Sequence, residues 1–153
     1  MKEESKMSEA TNRALDITES VIGSAFTVLN TLGTGFLERV YGSALAIELT
    51  EKGLSVDEQR SVEVLYHGKV VGQYFPDLIV EDRVVVELKS QKSLGNAGVA
   101  QCLNYLRATG LSVGLLLNFG TPRLGIRRLL DNYGIRKMES WVPRCRGLHE
   151  PKG

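Results

Sequence analysis

The hydrophobic pattern of the first third of the chain predicts two helices. Across residues 10–32 apolar side chains recur every three or four positions, the period of a helix that buries one face. Gly33 and Gly35 interrupt this pattern. A second helix is predicted across residues 37–52, and Gly53 marks its end. The chain is therefore expected to begin its folded part with two consecutive helices.

The period changes to that of β-strands in the following segment. Apolar runs predict strands at 62–66, 70–75, 84–88 and 113–119, a helix at 97–108, and an edge strand at 124–130. The order of two helices, three strands, a helix and a further strand favours an α/β sandwich. The same order predicts a central sheet that is mixed rather than all parallel.

A group of charged residues interrupts the most apolar part of the chain. Asp77 precedes a short apolar strand, and Glu87-Leu88-Lys89 ends the next strand. A two-residue turn at Asp82-Arg83 would make these strands antiparallel and bring Asp77 level with the Glu87 end. Since strand side chains alternate between faces, Glu87 and Lys89 are expected on one face and Leu88 on the other.

Two carboxylates and an ammonium group are costly at the end of an apolar hairpin unless they serve one another or a metal ion. Magnesium commonly takes one or two protein carboxylates, which Asp77 and Glu87 could supply, and the Leu88 carbonyl could add a ligand. Lys89 would then orient or deprotonate an attacking water and offset phosphate charge. The alternative is a salt-bridged hairpin end, in which Lys89 only neutralises the two acids.

Two further motifs flank this hairpin. Glu38 lies in a Gly-x-x-Glu-x-x-Tyr run from Gly35 to Tyr41, at the start of the second helix, and Gln101 lies in the helix after the hairpin. With these motifs in this order, the chain resembles the GxxExxY family, a branch of the PD-(D/E)XK nuclease superfamily, over residues 14–130. One departure is Asn30, where family members often carry histidine.

The resemblance implies a restriction-endonuclease-like three-layer sandwich, with a central mixed sheet flanked by helices, that hydrolyses phosphodiester bonds of DNA or RNA with Mg²⁺ or Mn²⁺. By this analogy Asp77 and Glu87 are metal-binding acids, and Glu38 is the acid of the preceding helix, counted among the metal ligands and the catalytic group. Lys89 matches the catalytic lysine, and Gln101 matches the polar residue of the following helix.

Composition adds little to this interpretation. The 153 residues suit one domain, expected at 10–130 between a disordered leader at 1–9 and an irregular, mildly basic tail at 131–153. Lysine and arginine number 19 against 18 acidic residues, so nucleic-acid affinity must come from local patches. Cys102 and Cys145 make neither a disulfide framework nor a zinc cluster. A polar start without membrane-length apolar runs predicts a cytoplasmic protein that does not contact membranes.

Two alternatives to an active nuclease remain open from the sequence. One is a catalytically silent module of the same fold that binds nucleic acid or a protein partner. The other is a purely structural α/β domain. The near-neutral charge and small size argue against a chain that grips long duplex DNA unaided, so a homodimer or a larger partner would fit.

Overall fold

The computed structural model describes residues 9–93 and 95–131. Of the predicted leader (1–9) and tail (131–153), residues 1–8 and 132–153 lie outside the described residues, and Glu9 already begins the first helix. The helices are α1 (Glu9–Leu32), α2 (Glu38–Glu51) and α3 (Asn96–Thr109). The strands are β1 (Val56–Glu58), β2 (Val62–Tyr66), β3 (Lys69–Tyr74), β4 (Leu78–Val80), β5 (Val84–Lys89), β6 (Val113–Asn118) and β7 (Gly125–Leu130).

A five-stranded sheet forms the centre of the fold, in the order β1-β4-β5-β6-β7. The β5–β6 pair is parallel, and the other three pairs are antiparallel. Helices α1 and α2 pack on one face of the sheet and α3 packs on the other. The predicted three-layer sandwich with a mixed central sheet is thereby confirmed.

Strand β5 contributes side chains to the hydrophobic clusters on both faces of the central sheet. Its apolar side chains alternate, so Val84, Val86 and Leu88 join the core under α1 and α2, whereas Val85 packs against Cys102 of α3. Cys102 is fully buried, as expected for a small apolar residue, and burial raises its thiol pKa to about 12. The alternation leaves Glu87 and Lys89 on the α3 face of the sheet.

The structure corrects three details of the predicted strands. Strands β2 and β3 form a separate two-stranded sheet rather than part of the central one. Strand β1, which pairs with β4, was not predicted because its three residues are too few to display a period. The β4–β5 connection is a three-residue loop, since Val80 pairs with Val84; the predicted two-residue turn is wrong. Glu81 and Asp82 adopt positive φ values there.

The connection between α1 and α2 is held by one buried tyrosine. The Tyr41 hydroxyl donates to the Gly33 carbonyl at 2.5 Å and accepts from the Phe36 amide at 3.2 Å. The Tyr41 ring stacks on Phe119 with a centroid distance of 4.5 Å. The motif tyrosine therefore fixes the loop that leads into α2, and with it the position of Glu38.

We expect Tyr41→Phe to destabilise the protein by about 1–2 kcal/mol, because two hydrogen bonds are lost while the ring packing is kept. Urea denaturation measures this change. Tyr66→Phe, on an exposed side chain, is the matched control and should leave the midpoint unchanged. Equal midpoints for the two variants would contradict the proposed role of the Tyr41 hydroxyl.

Candidate active site

Two acidic residues meet where β4 begins and β5 ends. The register that pairs Leu78 with Val86 sets Asp77 beside Glu87. The Asp77 amide donates to Glu87 Oε1 at 3.1 Å, and the Leu88 amide donates to Asp77 Oδ2 at 2.8 Å. The backbone of each strand thus holds the carboxylate of the other, so the predicted proximity of Asp77 and Glu87 is present in the fold.

Glu87 is buried in an environment that disfavours its charge. Only 4% of its surface is exposed. Burial is the main cause that raises its pKa from 4.5 to about 8, and the neighbouring Asp77 carboxylate raises it further, while Lys89 offsets part of the effect. Without a cation this environment therefore favours the protonated form of the Glu87 side chain. A divalent cation would favour the ionised form, and the carboxylate oxygens of Asp77 and Glu87 are donors that suit Mg²⁺ or Mn²⁺.

Lys89 is directed toward α3 by a short chain of polar contacts. Its Nζ atom donates to Gln101 Oε1 at 3.1 Å, and Gln101 Nε2 donates to the Tyr105 hydroxyl at 3.1 Å. The contact with Lys89 assigns the orientation of the Gln101 amide, because only the amide oxygen can accept from an ammonium group; the Tyr105 hydroxyl then accepts from the amide nitrogen. Lys89 and Gln101 are therefore together, and Lys89 shares its sheet face with Glu87.

Glu38 approaches the site from the other side. Its carboxylate Oε2 accepts from the Ser90 amide at 3.3 Å, immediately after Lys89. A cavity of about 540 Å³ is lined by Glu38, Asp77 and Leu88 together. A second cavity, of about 610 Å³, is lined by Glu38, Ser90 and Lys92. Glu38 thus lies between two cavities at the edge of the acidic pair.

The carboxylates do not form a larger cluster. Within residues 9–93 and 95–131, no three His, Cys, Asp or Glu side chains are arranged to hold a metal ion. Glu38 therefore does not form such a three-residue group with Asp77 and Glu87. Two protein carboxylates are still sufficient for magnesium, which retains water and takes phosphate oxygens. The metal-ligand roles of the Leu88 carbonyl and of Glu38 stay predictions.

Sequence reasoning missed Gln59. Its backbone amide donates to the Asp77 carbonyl at 3.1 Å, and its Nε2 donates to Asp77 Oδ1 at 3.2 Å. Gln59 has a φ of 56°, a left-handed conformation uncommon for a residue with a side chain. No spacing in the sequence connects Gln59 with Asp77, so only the β1–β4 pairing could have found it.

Hydrogen bonds connect the loop after β5 with the end of β6 and the loop that follows it. The Asn118 side chain accepts from the Gln91 amide at 3.0 Å and donates to the Gln91 carbonyl at 2.9 Å. The same Asn118 oxygen accepts from the Gly120 amide at 3.1 Å. A Cβ atom on Gly120 would lie 2.1 Å from the Gln91 carbonyl oxygen. This asparagine clasp, formed by Asn118, Gln91 and Gly120, sets the course of the chain just beyond Lys89.

A family model for the PD-(D/E)XK nuclease superfamily matches residues 15–129 of the chain. The chain belongs to the PD-(D/E)XK nuclease superfamily. The match does not resolve the GxxExxY branch, which stays a prediction from the motifs around Glu38. No curated protein and no solved structure gives a significant match.

Superfamily membership gives the site a chemical context. PD-(D/E)XK nucleases generally use divalent metals such as Mg²⁺, which bind carboxylate oxygens of the kind that Asp77 and Glu87 carry. In the described part of this PD-(D/E)XK chain, no helix is long and apolar enough to cross a membrane.

Proposed function

We propose that this PD-(D/E)XK protein hydrolyses phosphodiester bonds of nucleic acid with Mg²⁺ or Mn²⁺, and that residues 10–130 form the nuclease-like domain. The observation that carries the proposal is the adjacency of Asp77 and the buried Glu87, with Lys89 on the same face of β5. The ionised form of Glu87 is disfavoured by burial beside a second carboxylate, and a cation held by both groups would stabilise that form.

The divalent cation would supply Lewis-acid chemistry, activating water and stabilising charge on the phosphate. Asp77 and Glu87 are the side chains that would hold it. Gln59 and the Leu88 amide keep the Asp77 carboxylate oriented, which reduces the reorganisation needed when the cation binds.

Lys89 has the role of positioning the attacking water and balancing phosphate charge. Its contact with Gln101 holds the ammonium group against α3 rather than against either carboxylate in a direct ion pair. This arrangement argues against the salt-bridged hairpin end as the purpose of the three charges: ion pairs of Lys89 with Asp77 or Glu87 are absent from those found among the described residues.

We expect Lys89→Met to lower metal-dependent cleavage by about 10²–10³-fold, because the charge opposite the reacting phosphate is removed. Purified protein is tested on single- and double-stranded DNA and RNA with magnesium, manganese or a chelator. Lys92→Met is the matched control: Lys92 lies three residues away on an exposed loop that lines the second cavity, so its loss should cost less than about tenfold.

Equal activity in the Lys89→Met and Lys92→Met variants would count against the proposed role of Lys89. Salt-dependent binding of nucleic acid without cleavage under any condition would instead favour the catalytically silent module.

A further inference from the structure

Two exposed aromatic side chains lie directly before the acidic pair. Tyr74 ends β3 and is 45% exposed, and Phe75 follows it and is 47% exposed. Pro76 is buried behind them, and Asp77 comes next. Large apolar groups that stay half exposed at the rim of a site are available to contact a ligand.

The Tyr74 ring is fixed toward the catalytic side of the sheet. It meets the Tyr105 ring edge-on at a centroid distance of 5.7 Å. Tyr105 in turn holds Gln101, which contacts Lys89. This continuous contact path from Tyr74 to Lys89 means that a group stacked on Tyr74 would lie near the residues proposed to act on the phosphate.

The charges around the site favour a binding mode that does not depend mainly on attraction between basic side chains and nucleic-acid phosphates. Among the described residues, the two cavities are lined by the acidic residues Glu38, Glu58 and Asp77 and by the basic residues Arg39 and Lys92. The formal net charge of the whole chain is only +1. Binding of duplex DNA without sequence preference depends mainly on cationic contacts to phosphate, which this surface offers sparsely.

Resting on the proposed function, we propose that the substrate strand is single-stranded nucleic acid whose bases stack on Tyr74 and Phe75 next to the site. Stacking on aromatic rings supplies affinity to unpaired bases of any sequence. Bases within a duplex are already stacked on their neighbours and cannot reach these rings. The aromatic pair therefore selects an unpaired strand, an overhang or a flap over continuous duplex.

Fluorescence anisotropy with labelled oligonucleotides tests this proposal without requiring cleavage. The probes are oligothymidylate and oligouridylate of about 15 nucleotides and a blunt duplex of the same length, with calcium in place of magnesium. We expect both single strands to bind at least about tenfold more tightly than the duplex, and Phe75→Ala to weaken single-strand binding by about tenfold. The two single strands distinguish DNA from RNA.

Tyr66→Ala is the matched control, since Tyr66 is also an exposed aromatic residue of the β2–β3 hairpin. It pairs with Lys69 at the turn, whereas Tyr74 pairs with Val62 at the other end. Its loss should leave binding unchanged. Duplex binding as tight as single-strand binding would overturn the inference, as would equal effects of Phe75→Ala and Tyr66→Ala. Because binding and cleavage are measured separately, single-strand binding without cleavage would reject the proposed function and keep this inference.

Discussion

Replacing Glu87 with glutamine is expected to lower metal-dependent cleavage by about 10³-fold and, at pH 8, to stabilise the metal-free protein. The activity falls because the buried carboxylate is one of the two proposed to hold the cation. The stability rises because glutamine keeps an oxygen for the Asp77 amide without carrying charge into a buried position. We expect the free energy of unfolding at that pH to rise by up to about 4 kcal/mol, the size that a carboxyl pKa of about 8 in the folded protein implies.

The sign of this effect depends on pH. The Glu87 pKa is about 8 in the folded protein, against 4.5 for an unperturbed carboxyl. Between these values the folded state binds the proton that the unfolded state releases, so its stabilising contribution is full below 4.5 and is lost as the pH rises through 8. The free energy of unfolding of the metal-free wild-type protein should therefore fall as the pH rises across this range. In Glu87→Gln the part of this pH dependence that Glu87 causes should be absent.

Urea denaturation in the presence of chelator, repeated at several pH values, measures how the free energy of unfolding depends on pH. Glu58→Gln is the matched control, because Glu58 is an exposed acid lining the same cavity as Asp77. It should retain the wild-type pH dependence. A Glu87→Gln variant that is less stable than wild type at pH 8, or that keeps the full pH dependence, would contradict the proposed electrostatics of the acidic pair.

Replacing Gly120 with alanine is expected to destabilise the protein by about 3 kcal/mol and to lower cleavage activity. The added Cβ would lie 2.1 Å from the Gln91 carbonyl oxygen and 2.3 Å from the Gln91 nitrogen. Because both are backbone atoms, no side-chain rotation can relieve the overlap. The loop after β5 must move, which opens the asparagine clasp and disturbs the chain next to Lys89.

Gly23→Ala is the matched control for this glycine. Gly23 lies on the exposed side of α1, and the nearest atom to an added Cβ is Lys52 Nζ at 3.9 Å. Alanine there should raise stability by about 0.5–1 kcal/mol, since it favours the helix. If thermal denaturation shifts the melting temperatures of both variants in the same direction, the close approach of the Gln91 backbone does not explain the effect of Gly120→Ala.

The core of the site could be predicted from the sequence because it is local. Asp77 immediately precedes β4, and Glu87 and Lys89 lie in β5 of the same hairpin, where strand alternation alone places them on one face. The predicted turn was one residue too short, but the proximity of Asp77 and Glu87 does not depend on it, because the observed register still sets Asp77 beside Glu87. The placement of the second and third helices on opposite faces likewise agrees with the predicted sandwich.

Features that depend on pairing between distant segments could not be predicted in the same way. Gln59 reaches Asp77 only because the three-residue β1 pairs with β4. The asparagine clasp joins loops separated by a whole helix, and nothing in the Asn118 neighbourhood of the sequence points to Gln91. The β2–β3 hairpin has the pattern of sheet strands, but pattern alone does not say which sheet a strand joins.

Cleavage of single-stranded oligonucleotide as a function of Mn²⁺ concentration is the most direct test of the proposed metal-dependent phosphodiesterase. Wild-type and Glu87→Gln proteins would be compared with and without chelator, after both are confirmed to be folded. The proposal predicts a wild-type rate that rises with Mn²⁺, saturates, and disappears with chelator, and no such response in Glu87→Gln. Cleavage that survives the chelator, or that Glu87→Gln retains, would contradict a catalytic metal at Asp77 and Glu87.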